Sequence, residues 1–180
     1  MKIVSKSAKN QVKELEAKSK KLTEVEQSFK NVITTYKSAE WSLASLYRIG
    51  SLYDNMQKVV LQSPCPDDIK RDYGDIGCDE YANAVEDNAF NVSQKAIANF
   101  QVAHDKAKEL KLTNVWTKKT LADLNLLNPE TYPIDKEPLA PTSDAVVDDG
   151  LGFVLPDGGA PELKALGAGP AELQATGGAK

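Results

Sequence analysis

Histidine and cysteine are scarce in this sequence, which excludes most metal and nucleophile chemistry. The 180 residues include one histidine, His104, and two cysteines, Cys65 and Cys78. Two cysteines and a distant histidine do not complete the four-ligand shell of a structural zinc site. No serine or cysteine nucleophile is placed by local sequence to use His104. We therefore expect no enzyme activity, no metal and no cofactor, and we expect His104 to be a surface or hydrogen-bonded residue.

Long hydrophobic runs are also missing. No stretch approaches the roughly 18 apolar residues that a membrane span needs. Near the N-terminus only Ile3 and Val4 separate Lys2 from polar residues, so the sequence predicts neither a secretory signal nor a membrane span. These features fit a cytoplasmic protein, and they fit equally well a fragment of an exported protein that works in the periplasm or cell envelope.

Charge is unevenly distributed along the chain, although the formal net charge is only −4. Residues 1–36 contain eight lysines and four glutamates, whereas residues 62–90 contain eight acids and two bases. Bases spread along a mixed-charge helix, without accompanying stacking aromatics, make a weak nucleic-acid footprint. We therefore expect no nucleic-acid partner, and we expect surface charge to favour protein partners of opposite sign.

Apolar residues recur at helical spacing, which predicts an all-α fold. We expect four main helices, over residues 6–36, 38–62, 80–111 and 115–127, and a loop rich in Pro, Gly and Asp over 63–79. Asn128-Pro129 is expected to end the last helix. No segment alternates with period two, so we predict no strands.

Glycine and proline are concentrated at the C-terminal end. Residues 138–180 contain eight of the eleven glycines and five of the nine prolines. Such a segment buries too little apolar surface to offset the entropy lost on ordering, so a disordered tail is predicted. The remaining residues, 1–137, are predicted to form one helical domain.

The first predicted helix has apolar residues at every seventh position. These are Ala8, Leu15, Leu22, Phe29 and Tyr36, with Val25 and Val32 between the later ones. A seam of this kind packs either on another helix of the same chain or on a second copy. Self-association through residues 8–36 is therefore the alternative function to protein binding.

The predicted loop 63–79 is acidic and is flanked by both cysteines. Its acids and those just after it are Asp67, Asp68, Asp72, Asp75, Asp79 and Glu80. Their spacing is not that of an EF-hand, so a solvated loop is a better interpretation than a calcium site. In an oxidising compartment Cys65 and Cys78 would close a ring that stabilises the fold by about 3 kcal/mol. In a reducing cytosol they would be free buried thiols; we expect the disulfide.

Two short patterns resemble the two helices of a tetratricopeptide repeat. The residues concerned are Leu46, Ile49, Gly50 and Tyr53 in the second helix, and Ala96, Phe100 and Ala103 in the third. Small residues let the helices approach, and the aromatic side chains fill the space beside them. The spacing departs from the repeat, because a long insertion separates Tyr53 from Ala96. The resemblance implies helical hairpins and a docking scaffold.

The span from about 39 to 133 also resembles one group within that family, the envelope proteins of deltaproteobacteria, including those of the adventurous gliding-motility machinery. The residues that carry this resemblance are Glu40-Trp41, the Ala44–Tyr53 string, Lys108-Glu-Leu, Asn114-Val-Trp116-Thr, and Leu124 to Pro133. It implies a non-catalytic scaffold that binds other proteins of an envelope or motility complex. It also implies a docking face on the second helix. Carried onto this chain, that face consists of Tyr47, Arg48, Ser51, Asp54 and Asn55.

Overall fold

The computed structural model describes residues 3–134, and in that part of the chain it contains four α-helices and no strand. The helices are α1 (Ala8–Tyr36), α2 (Ala39–Leu61), α3 (Asp67–Glu109) and α4 (Val115–Leu127). The predicted all-α fold is confirmed. The predicted disordered tail, 138–180, lies outside the described residues.

Helix α3 begins earlier than the sequence predicts, so the loop expected over 63–79 is largely wrong. Asp67 and Asp68 occupy the first turn of α3, where carboxylates favour helix initiation. Gly74 alone has non-helical angles, φ 63° and ψ −147°. A single positive-φ glycine kinks the chain here, and the helix continues on both sides of it. Residues 63–79 contain Pro64, Pro66, Gly74 and Gly77, and this turn-rich composition is the reason that the sequence indicated a longer loop.

The described residues form two compact units. Unit 1 consists of residues 3–21 and 56–92, and unit 2 consists of residues 22–55 and 93–134. None of the helices within residues 3–134 has the combination of length and apolar character that crossing a membrane requires.

Unit 1 contains a polar residue, Gln11, that is fully buried. The Gln11 amide nitrogen donates to the carbonyl oxygens of Ser5 at 2.9 Å and Pro64 at 3.0 Å. Its amide oxygen accepts a hydrogen bond from the Tyr81 hydroxyl at 2.6 Å. Because both ends of this buried amide have partners, a polar residue is accommodated where the heptad pattern would place an apolar one.

The start of α3 also holds the start of α1 within unit 1. The Asp68 carboxylate accepts a hydrogen bond from the Ala8 backbone amide at 3.0 Å, which satisfies one of the amides that a helix N-terminus leaves unpaired. Cys65 and Cys78 form a disulfide with their Cα atoms 5.5 Å apart. The predicted cysteine pairing is confirmed, and the bond closes the segment that carries Asp68.

Unit 2 contains an apolar core formed by α1, α2, α3 and the residues that follow α3. Its buried members are Ile33, Ala39, Leu43, Leu46, Ala103, Ala107 and Leu112. All seven residues of the repeat-like pattern are buried; Leu46, Ile49, Ala96 and Phe100 have 0% exposure. A Cβ built on Gly50 would lie 2.5 Å from Phe100 Cε1. The absence of a side chain at Gly50 is therefore what lets Phe100 reach α2.

The apolar seam of α1 is mostly covered within the chain. Ala8, Leu15 and Leu22 are buried, whereas Tyr36 at the C-terminal end is 69% exposed. Trp41, near the start of α2, is 61% exposed. The packed faces of α1 and α2 are thus narrower at the α1–α2 turn than the apolar pattern predicts.

Candidate protein-binding surface

Helix α4 begins at a well-formed cap. The Asn114 side chain accepts hydrogen bonds from the backbone amides of Trp116 at 2.9 Å and Thr117 at 3.1 Å. The Thr117 hydroxyl accepts a hydrogen bond from the Asn114 backbone amide at 2.9 Å, which completes a capping box. Leu121 and Leu124 are buried along the helix. Cap and apolar face together fix the position of Trp116 in the first turn.

Aromatic side chains from α2, α3 and α4 form a continuous row in unit 2. The Tyr47 ring centroid lies 5.8 Å from that of Phe100 and 5.7 Å from that of Trp116, and both pairs are tilted. Phe100 is fully buried, whereas Tyr47 and Trp116 are half-buried. Tilted pairs at these distances are attractive beyond their buried area. Gly50, by admitting Phe100, therefore also determines where Tyr47 and Trp116 lie.

Two cations cover this aromatic row on its exposed side. The Arg48 guanidinium lies 5.2 Å from the Trp116 ring centroid. The Lys119 ammonium lies 5.3 Å from Trp116 and 6.0 Å from Tyr47. These distances are those of cation–π interactions. We call the four residues Tyr47, Arg48, Trp116 and Lys119 the cation–aromatic surface.

Neither cation of this surface forms an ion pair within residues 3–134. Asp123 is the nearby acid, and it acts on the Tyr47 hydroxyl. Burial raises the pKa of Tyr47, and the Asp123 carboxylate adds to that rise. The Tyr47 hydroxyl therefore stays protonated at neutral pH, and Arg48 and Lys119 give the surface two positive charges.

Two of the five residues predicted to bind a partner lie in the cation–aromatic surface, and the other three do not. Tyr47 and Arg48 belong to the cation–aromatic surface, and Arg48 is exposed. Ser51 and Asn55 bond to their own helix: the Ser51 hydroxyl donates to the Tyr47 carbonyl at 2.9 Å, and the Asn55 amide to the Ser51 carbonyl at 2.8 Å. Asp54 is half-buried. The structure thus assembles Tyr47 and Arg48 with two residues of α4 that sequence reasoning did not assign to binding.

Trp116 and Lys119 were missed as site residues for different reasons. Trp116 is among the residues that carry the family resemblance. Asn114 is a typical helix-capping residue, and it could have indicated that Trp116 has a fixed position in the first turn of α4. Lys119 had no signal, because a lysine after Lys118 on a helix is ordinary. Only the packing of α4 brings the Lys119 ammonium over aromatic rings from two helices.

The C-terminal residues of the described region fasten α4 to α3 within unit 2. The Tyr132 hydroxyl accepts a hydrogen bond from the Gln101 amide at 2.6 Å, and its carbonyl accepts one from the Asn125 amide at 2.9 Å. His104 is buried, with its ring edge-on to Tyr132 at 5.6 Å. His104 therefore packs in the interior of unit 2 against Tyr132.

The titratable residues do not converge on a metal site in the part of the chain that the structure describes. No group of three or more His, Cys, Asp or Glu side chains among residues 3–134 could hold an ion. Both cysteines are consumed by the disulfide. What the arrangement offers chemically is a charged and aromatic surface for recognition.

No protein-family model matches this chain, and neither a curated protein nor a solved structure matches it at a significant level. The resemblance to tetratricopeptide-repeat envelope proteins therefore stays a prediction. Inferences about function depend on the geometry of the chain itself.

Proposed function

We propose that this protein is a non-catalytic protein–protein interaction module and that the cation–aromatic surface is its docking site. The observation that carries the proposal is an exposed arginine over a half-buried tryptophan: the Arg48 guanidinium lies 5.2 Å from the Trp116 ring centroid. Tyrosine, tryptophan and arginine are the residue types that dominate binding energy at protein interfaces.

Pre-organisation of this surface supports the same proposal. Phe100 packs beneath Tyr47, and the Asn114 capping box fixes the first turn of α4 around Trp116. Side chains that are already ordered lose little rotamer freedom when a partner binds, and that loss is a main cost of association. A rigid aromatic pair flanked by two cations suits recognition better than a mobile lysine-rich face would.

We place the module in an oxidising compartment, as part of a multi-protein assembly of the cell envelope. The disulfide between Cys65 and Cys78 supports this location, since such bonds persist in the periplasm and are rare in the cytosol. The close approach of α2 and α3 at Gly50 supports a repeat-like helical hairpin. A role in gliding motility rests on the sequence resemblance alone.

The test is capture of partners from a lysate of the native host by three forms of the full chain. Arg48→Glu should lose specific partners that the parent protein retains. Lys118→Glu is the matched control, because Lys118 is exposed on the same helix turn as Lys119 and contacts no aromatic ring in the described structure. Circular dichroism should show equal helicity in all three. Capture that is equal for the parent and for Arg48→Glu would refute this docking site.

Self-association through the α1 seam is the alternative, and one observation favours it. Tyr36 is 69% exposed at the end of the seam. Leu22 is buried in the single chain, so a substitution there would unfold the protein rather than test association. Light scattering of Tyr36→Lys is the suitable measurement: a dimer of the parent that becomes a monomer in this variant would favour the alternative.

A further inference from the structure

We infer that the cation–aromatic surface binds an acidic segment of another protein, with carboxylates placed at Arg48 and Lys119. The inference rests on the proposed docking function and specifies the chemistry of the partner. Its basis is the pair of cations that lie over the same tryptophan without a carboxylate partner among residues 3–134.

Both cations keep their hydrogen-bond donors available. No hydrogen bond from the Arg48 or Lys119 side chain to another residue of the 3–134 region is present. A guanidinium presents its N–H groups in a fork that matches a carboxylate. Lys119 adds a compact point charge beside it. An acidic segment would satisfy both groups and relieve the repulsion between two like charges.

The immediate surroundings favour discrete carboxylates over a nucleic acid. The Trp116 ring already contacts Tyr47 and two cations, so little of its face remains for base stacking. Asp123 borders the surface at Tyr47 and repels any anion placed there. A peptide can place its carboxylates away from Asp123, whereas a nucleic acid carries a phosphate on every nucleotide. The chain as a whole has a formal net charge of −4, whereas nucleic-acid binding draws on a broad basic face.

The direct test is a fluorescence titration in which Trp116 is the only indole. The sequence contains two tryptophans, and Trp41 is 61% exposed, so Trp41→Phe removes the other one with little effect on packing. The probe is a ten-residue peptide with capped ends, composed of Asp, Glu and Gly. Its neutral control has Asn and Gln at the same positions.

We expect the acidic peptide to change Trp116 emission in a saturable and salt-sensitive way, and the neutral peptide to have no effect. In the Trp41→Phe background, Arg48→Ala combined with Lys119→Ala should weaken binding about 2- to 30-fold, the range for losing two charge pairs at a partly exposed site. Lys118→Ala should change binding by less than about twofold, because that lysine lies outside the surface.

Three results of these titrations would overturn the inference. They are equal binding of the acidic and neutral peptides, equal weakening by Lys118→Ala, and tighter binding of a single-stranded oligonucleotide than of the acidic peptide. If the full chain forms a dimer and Lys119→Glu abolishes it, the acidic segment belongs to a second copy of this chain, and the inference that another protein supplies it is refuted. If partner capture depends on Arg48 but is insensitive to salt and to the acidic peptide, the proposed docking function stands and the acidic-partner inference fails.

Discussion

Gly50→Ala is expected to destabilise the protein, although alanine is the better helix former. The added Cβ would lie 2.5 Å from Phe100 Cε1, 2.6 Å from Cδ1 and 2.9 Å from Cζ. Those ring atoms belong to a residue with 0% exposure, so the ring has no free space to enter. Overpacking of this kind costs about 1–3 kcal/mol, and the gain in helix propensity offsets about 1 kcal/mol. The expected net loss in unfolding free energy is about 0–2 kcal/mol.

A double-mutant cycle separates the two contributions. In a Phe100→Leu background the ring is gone, so Gly50→Ala should become neutral or stabilise by up to about 1 kcal/mol. The coupling between the two positions should be about 1–3 kcal/mol. Urea unfolding followed by circular dichroism gives each free energy, and Ala82→Gly, at an exposed position of α3, calibrates helix propensity in this protein. A Gly50→Ala variant that is about 1 kcal/mol more stable than the parent would refute the packing of α2 on α3 at Phe100.

Three further predictions concern unit 1. Replacing both Cys65 and Cys78 by Ser should cost about 3 kcal/mol of unfolding free energy, and non-reducing mass spectrometry should find the two linked in native protein; quantitative thiol labelling of the folded protein would contradict this. Asp68→Ala should cost about 1 kcal/mol, because it removes the cap of α1, whereas Asp72→Ala, an exposed acid paired only with its neighbour, should cost less than about 0.5 kcal/mol by thermal melting. Burial raises the pKa of the Tyr81 hydroxyl above 10.0, so its contribution to stability is present below pH 10.0 and is lost as pH rises through the folded-state pKa; Tyr81→Phe should flatten that alkaline decline in denaturant titrations.

The helices themselves were largely predictable because their signals are local. Helix α4 was predicted over its observed span from its apolar spacing and from Asn128-Pro129, which ends it. The cap at Asn114 comes from the structure. The start of α3 was predicted wrongly because Pro64, Pro66 and the nearby glycines indicate a loop by composition. In the structure, Gly74 is the one residue of α3 with non-helical backbone angles, and the residues on both sides of it are helical.

The candidate site was only half predictable from sequence. Tyr47 and Arg48 followed from a family resemblance, and Gly50 followed from the pattern of small and aromatic residues. Lys119 depends on how α4 packs against α2, which no local pattern encodes. The exposure of Trp41 had the same cause, because apolar periodicity shows which face of a helix is apolar and does not show how far its neighbour extends.

The most direct test of the central claim is site-specific photo-crosslinking in the native host. A photoreactive phenylalanine placed at Val115, which is 53% exposed one helical turn before Lys119, should crosslink to a distinct protein, and Arg48→Glu in the same chain should abolish that product. The same probe at Lys13, an exposed residue of α1 in unit 1, is the control and should give little of that product. Equal crosslinking from positions 115 and 13, or a product from position 115 that persists with Arg48→Glu, would contradict a docking role for the cation–aromatic surface.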